Sequence, residues 1–107
     1  MKAGASNRLP WLATLALVLA AAPAAAATIQ VTIDKLVFSP DVVEAKVGDT
    51  IEWVNKDVIA HTATVKGGWE VMIPPRKSAS LTLKAAGTLD YFCRFHPNMK
   101  GRLLVSP

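Results

Sequence analysis

From Thr28 onward, apolar residues fall at every second position in short runs, and this alternation limits the chain more than any other feature. Ile29, Val31 and Ile33 alternate with polar neighbours, as do Val43, Ala45 and Val47, then Ile51 and Trp53, then Leu81 and Leu83, then Leu89, Tyr91 and Cys93. A period of two puts one set of side chains on the buried face of a pleated strand. Turn-forming residues separate the runs at Ser39-Pro40-Asp41, Gly48-Asp49, Gly67-Gly68, Pro74-Pro75 and Ala86-Gly87-Thr88. A β-rich Thr62-Ala63-Thr64-Val65 follows His61, and a last strand is predicted over 102–105. No helix of useful length is expected after Thr28. Short strands with turns at this spacing predict an all-β fold, an antiparallel sandwich or barrel in one small domain. Trp53 is expected in its core. Trp69 is expected in a loop, packed rather than functional, and Met72 is read as apolar filler.

The first 27 residues read differently. Lys2 and Arg8 form a basic start, 11–22 is an apolar run broken only by Thr14, and Pro23-Ala24-Ala25-Ala26-Ala27 supplies small residues for cleavage after Ala25, Ala26 or Ala27. That is the pattern of a secretory signal peptide, and the apolar run is shorter than the roughly 18 residues of a spanning helix. The expected division is a signal peptide over 1–27 and a mature domain over 28–107. The expected location is periplasmic, with membrane contact only in transit.

Loss of Lys2 and Arg8 leaves ten basic against eight acidic residues, a nearly neutral domain. The cations are scattered and lack the aromatic interleaving of nucleic-acid readers, so no nucleic-acid partner is expected. Arg94, Lys100 and Arg102 lie close to one another around 93–99 and offer a means of guiding an acidic partner.

That segment, Cys93-Arg94-Phe95-His96-Pro97-Asn98-Met99, holds the only cysteine of the chain and one of its two histidines. An exported protein usually pairs its cysteines, so a single one points to an intermolecular bridge, a reactive thiol or a metal ligand. The spacing C-x2-H-x2-M favours the metal. Cys, His and Met at i, i+3 and i+6 can wrap one face of an ion from a compact loop, stiffened here by Pro97. His61 is the remaining histidine and completes the set. Two imidazoles and a thiolate with a weak axial thioether form a blue-copper electron-transfer site. Zinc also binds Cys and His, but it would need water or an acidic group in place of methionine. A thiol enzyme would need an activated cysteine beside an orienting base, and a multicopper enzyme would need histidines beyond the two present. No enzymatic activity is expected.

Gly48-Asp49-Thr50-Ile51-Glu52-Trp53-Val54-Asn55, then His61, then 86–101 with its short ligand loop resemble the cupredoxins, most nearly the amicyanins among them. The resemblance covers nearly all of 28–107. It implies a Greek-key β-sandwich with one type 1 copper held by His61, Cys93, His96 and Met99, and a monomeric one-electron carrier serving redox partner proteins. The runner-up is a periplasmic copper-binding protein for storage, delivery or resistance. Asn55, by itself an ordinary turn residue, acquires from the resemblance a role in bonding across to the ligand loop and orienting the thiolate. The amicyanins carry a proline directly before each histidine, where this chain has Ala60 and Phe95. Phe95, Pro97, Met72, Ile73, Pro74 and Pro75 form a candidate apolar contact surface around the His96 edge.

Overall fold

The computed structural model describes residues 25–107, so the basic start and apolar run of the leader lie outside the described residues. The strands are β1 (Thr28–Asp34), β2 (Val37–Ser39), β3 (Val42–Lys46), β4 (Thr50–Asn55), β5 (His61–Thr64), β6 (Glu70–Ile73), β7 (Ser78–Thr82), β8 (Gly87–Phe92) and β9 (Lys100–Ser106). Among the described residues there is no helix, and so none long and apolar enough to cross a membrane. A four-stranded sheet runs β2-β1-β4-β7 and a five-stranded sheet runs β3-β9-β8-β5-β6.

The alternating residues meet between the two sheets. Val31, Ile33, Ile51, Trp53, Ala63, Ile73, Tyr91 and Leu103 are all essentially inaccessible to water. Trp53 and Tyr91 pack edge to face with centroids 5.7 Å apart, and the Trp53 Nε1–H donates to Tyr91 Oη at 3.3 Å. That bond satisfies the buried indole. Burial pushes the Tyr91 phenol up to about 12 despite the Trp53 donor, so the hydroxyl stays neutral. Gly101 lies directly against this ring: a Cβ there would stand 2.3 Å from Tyr91 Cζ, so the β8–β9 pairing requires glycine. Trp69 is in a loop, as expected, and packs on Trp53 at 6.0 Å.

Two pairings run parallel, β1 with β4 and β3 with β9, and the rest are antiparallel. Period two identifies a strand and its buried face but carries no information about the direction of its neighbour, which the long crossovers decide. Asp49 secures one of the parallel starts. Its carboxylate accepts the Ala27 N–H and the Lys46 N–H, both at 2.9 Å, while Thr50 N–H donates to the Ala27 carbonyl at 2.9 Å.

Two strands have no counterpart in the sequence expectation. β2 has three residues and β6 four, too short to display a period, and β2 lies against punctuation at Ser39 and Pro40. β6 is an edge strand. It buries Ile73 completely but leaves Met72 46% exposed, which corrects both the filler reading of Met72 and the inclusion of Ile73 in a surface patch. Val47, read as the third inward residue of its run, lies past the end of β3 and is 41% exposed.

Candidate metal centre

Cys93 directly follows β8, whose alternation turns the sulfur inward, and it is fully buried. The residues after it fold back on themselves. His96 N–H donates to the Cys93 carbonyl at 3.2 Å, Met99 N–H to the His96 carbonyl at 2.8 Å, and Cys93 N–H to the Met99 carbonyl at 3.1 Å. Three reciprocal bonds therefore close 93–99 into a compact loop before β9 begins. Met99 is 4% exposed and belongs to the core cluster, whereas His96 is half-buried with Phe95 and Pro97 exposed on either side in the chain.

His61 opens β5 and is fully buried. Its Nδ1 lies 3.7 Å from Cys93 Sγ, and His96 Nδ1 lies 3.8 Å from the same sulfur. The three donor atoms stand within 4.8 Å of one another, and no carboxylate oxygen belongs to the cluster. The two imidazole rings meet edge to face, with centroids 5.3 Å apart. A soft sulfur facing two imidazole nitrogens fits one copper ion, and the cluster lacks the acidic fourth group that would have suited zinc.

One donor points at the sulfur, the Thr62 N–H at 3.4 Å. Thr62 also accepts the Arg94 N–H on Oγ1 at 2.8 Å, so one residue of β5 grips both the thiol and the first residue of the loop. Asn55 does not do this. Its Nδ2 donates to the carbonyls of Ile59, Ile73 and Pro74 at 2.9, 3.3 and 3.1 Å, and its Oδ1 accepts the Asp57 N–H at 2.9 Å. The asparagine thus fixes the connection that leads into His61 and the end of β6. The orientation of the sulfur falls to a backbone amide, whose identity cannot be read from residue type.

Asp57 is not among the expected site residues, yet its Oδ2 accepts the His61 Nε2–H at 2.8 Å. A carboxylate four residues before a lone histidine was the available signal. Oδ1 of Asp57 accepts the Lys35 N–H at 2.8 Å and Oδ2 the Leu36 N–H at 3.1 Å. Partial burial opposes ionisation, but the bonds from Leu36, His61 and Lys35 outweigh it together and hold the carboxyl below its ordinary value.

The basic residues around the loop are largely paired. Arg94 binds both oxygens of Glu70, at 2.9 and 3.1 Å, and its guanidinium lies 4.7 Å from the Phe95 ring centroid. Arg102 pairs with Asp90 at 2.6 Å. A cavity of about 670 Å³ is lined by Asp41, Lys66, Asp90 and Arg102 among others, but within 93–99 it touches only Pro97.

The cupredoxin-like domain family matches residues 7–105. This chain belongs to that family. It is 35% identical over 96 residues to amicyanin from Paracoccus denitrificans, covering 80% of the chain and 71% of that protein. To amicyanin-alpha from Methylorubrum extorquens it is 33% identical over 89 residues, covering 77% and 75%. Among solved structures, the reduced state of an amicyanin mutant with phenylalanine in place of a proline is 34% identical, with a TM-score of 0.67 over 74% of this cupredoxin and 82% of that chain. The Cu(I) form of another amicyanin mutant, a methionine-to-alanine variant, superposes with a TM-score of 0.69 at 34% identity, covering 82% and 90%.

Proposed function

We propose that this cupredoxin is an exported one-electron carrier, and that His61, Cys93, His96 and Met99 hold its copper. The observation that carries the reading is the convergence of two imidazole Nδ1 atoms on a buried Cys93 sulfur, with one of the two rings half-buried at the rim. A bound copper ion would supply the one-electron couple. The protein keeps the donors still: His61 stands at the start of β5, Cys93 at the end of β8, and the loop between Cys93 and Met99 is closed by its own backbone bonds. Such an arrangement leaves little room for rearrangement between oxidation states, which keeps the cost of moving an electron low. The His96 edge is the shortest way out, and the exposed Phe95 and Pro97 beside it supply apolar contact for a redox partner. Amicyanin-like proteins are electron carriers rather than enzymes, and the same role is proposed here.

Export rests on the basic start, the apolar run and the small residues before Thr28. Protein recovered from the exported fraction should have an intact mass that begins at Ala26, Ala27 or Thr28. It should take up one equivalent of copper(II) with an intense visible sulfur-to-copper band. A product retaining Met1 and sedimenting with membranes would refute the export reading, and a weak spectrum without the band would refute the copper reading.

A further inference from the structure

We infer that Asp57 is a positioning residue for the metal centre, fixing the tautomer and donor strength of His61 and anchoring that ring to the β1–β2 turn. Three observations lead there. The first is the bond itself. An ionised carboxylate only accepts, so the proton of the His61 ring sits on Nε2 toward Asp57, and the Nδ1 lone pair faces Cys93 Sγ. A ligating histidine held by a carboxylate on its far nitrogen is both oriented and made a stronger donor.

The second is the number of bonds that meet at this residue. Its N–H goes to Asn55 Oδ1, its carbonyl accepts the Arg76 N–H at 3.1 Å, Oδ1 accepts from Lys35, and Oδ2 accepts from both Leu36 and His61. Asp57 is therefore held from three separate parts of the chain and cannot turn away from His61 without releasing them.

The third is where the strained backbone lies. Among the described residues, three that are not glycine have φ in the left-handed region: Lys35 at 53°, Leu36 at 64° and Arg76 at 61°. All three donate their backbone N–H to Asp57. Lys35 and Leu36 form the two-residue loop between β1 and β2, which needs positive φ at both positions and normally uses Asn-Gly. Unfavourable conformations persist where the surroundings over-determine them, and they gather at functional sites. Here they gather on one residue, two of them on its carboxylate and Arg76 on its carbonyl, and that carboxylate points a candidate copper ligand.

The inference rests on the copper reading of the site, so its test includes the metal-free protein. Nitrogen NMR of the histidine side chains in the apo form should show His61 as a single tautomer protonated on Nε2, with that proton protected from exchange. In Asp57→Asn the protection should be lost. The copper-loaded variant should bind copper(II) about 10- to 100-fold more weakly. A tenfold loss of preference for the oxidised ion would raise the reduction potential by about 59 mV. A triple variant, Asp57→Asn with Lys35→Asn and Leu36→Gly, relieves the turn of its need for the clamp. It should recover folding stability while the tautomer and the potential stay altered. If Asp57→Asn leaves the His61 tautomer and the potential unchanged and lowers only the melting temperature, or if the triple variant restores the wild-type potential, Asp57 is merely structural and the inference fails. Should the wild type form no blue centre, the copper reading falls, while the apo-form tautomer still decides what Asp57 does to His61.

Discussion

Cys93, His61 and His96 divide the work by exposure. Two of the three are fully buried and the third is half-buried at the rim, so the site is closed toward the core and open at one imidazole. Met99 lies inside as well, 4% exposed, as an axial thioether would have to be. These positions make different predictions for substitution. Replacing Cys93 with serine removes the thiolate and should abolish the visible band outright. Met99→Leu should keep colour but raise the reduction potential, because loss of a weak axial donor destabilises the oxidised ion more than the reduced one. Optical spectra and voltammetry of the two variants check this, and a blue Cys93→Ser protein would contradict the ligand assignment. The cluster of His61, Cys93 and His96 could be read in the sequence because Cys93 and His96 are local to one loop, and His61 followed by elimination. Asp57 could not. Its importance depends on Lys35 and Leu36, about twenty residues earlier, reaching it through the fold. Asn55 shows the converse case: its position matched the resemblance, but its amide bonds away from the ligand loop.

At the scale of the strands, β1, β3, β4, β7 and β8 were legible from apolar residues at period two, and β5 and β9 from the β-forming residues after His61 and after the ligand loop. β2 and β6 were not, since a strand of three or four residues shows no period and depends on its neighbours for pairing. The parallel start of β1 on β4 depends in turn on a side-chain anchor, Asp49, which also holds the end of β3. The bonds from Ala27 N–H and then Lys46 N–H hold its carboxyl below the usual carboxylate range. A depressed folded-state value means that its stabilising contribution is complete above the unfolded value of about 3.9 and fades as the pH falls through the folded value. Acid titration of the fold should therefore show unchanged stability from neutrality to about pH 5 and a progressive loss below about pH 4. Asp49→Asn should be less stable than wild type at neutral pH and show a shallower acid limb, read from denaturant midpoints across pH. Equal slopes for the two proteins would show that Asp49 contributes nothing pH-dependent.

For the molecule as a whole, the sandwich brings candidate ligands from β5 and from the loop after β8 to one place. Removing the metal would mean separating His61 at the head of β5 from the Cys93–Met99 loop, and these are joined by Thr62 through its bonds to Cys93 and Arg94. Such a centre suits retention. It favours electron transfer over ion delivery, the alternative left open by the ligand set itself. The deciding measurement follows copper content and redox state together. The Cu(I)-loaded protein is mixed with an oxidised one-electron partner and an apo copper acceptor, then passed through repeated cycles of reduction and oxidation. Electron exchange should be rapid, with full recovery of colour in every cycle and a constant one copper per chain. Quantitative copper transfer to the acceptor on the same timescale, with slow electron exchange, would contradict the carrier account.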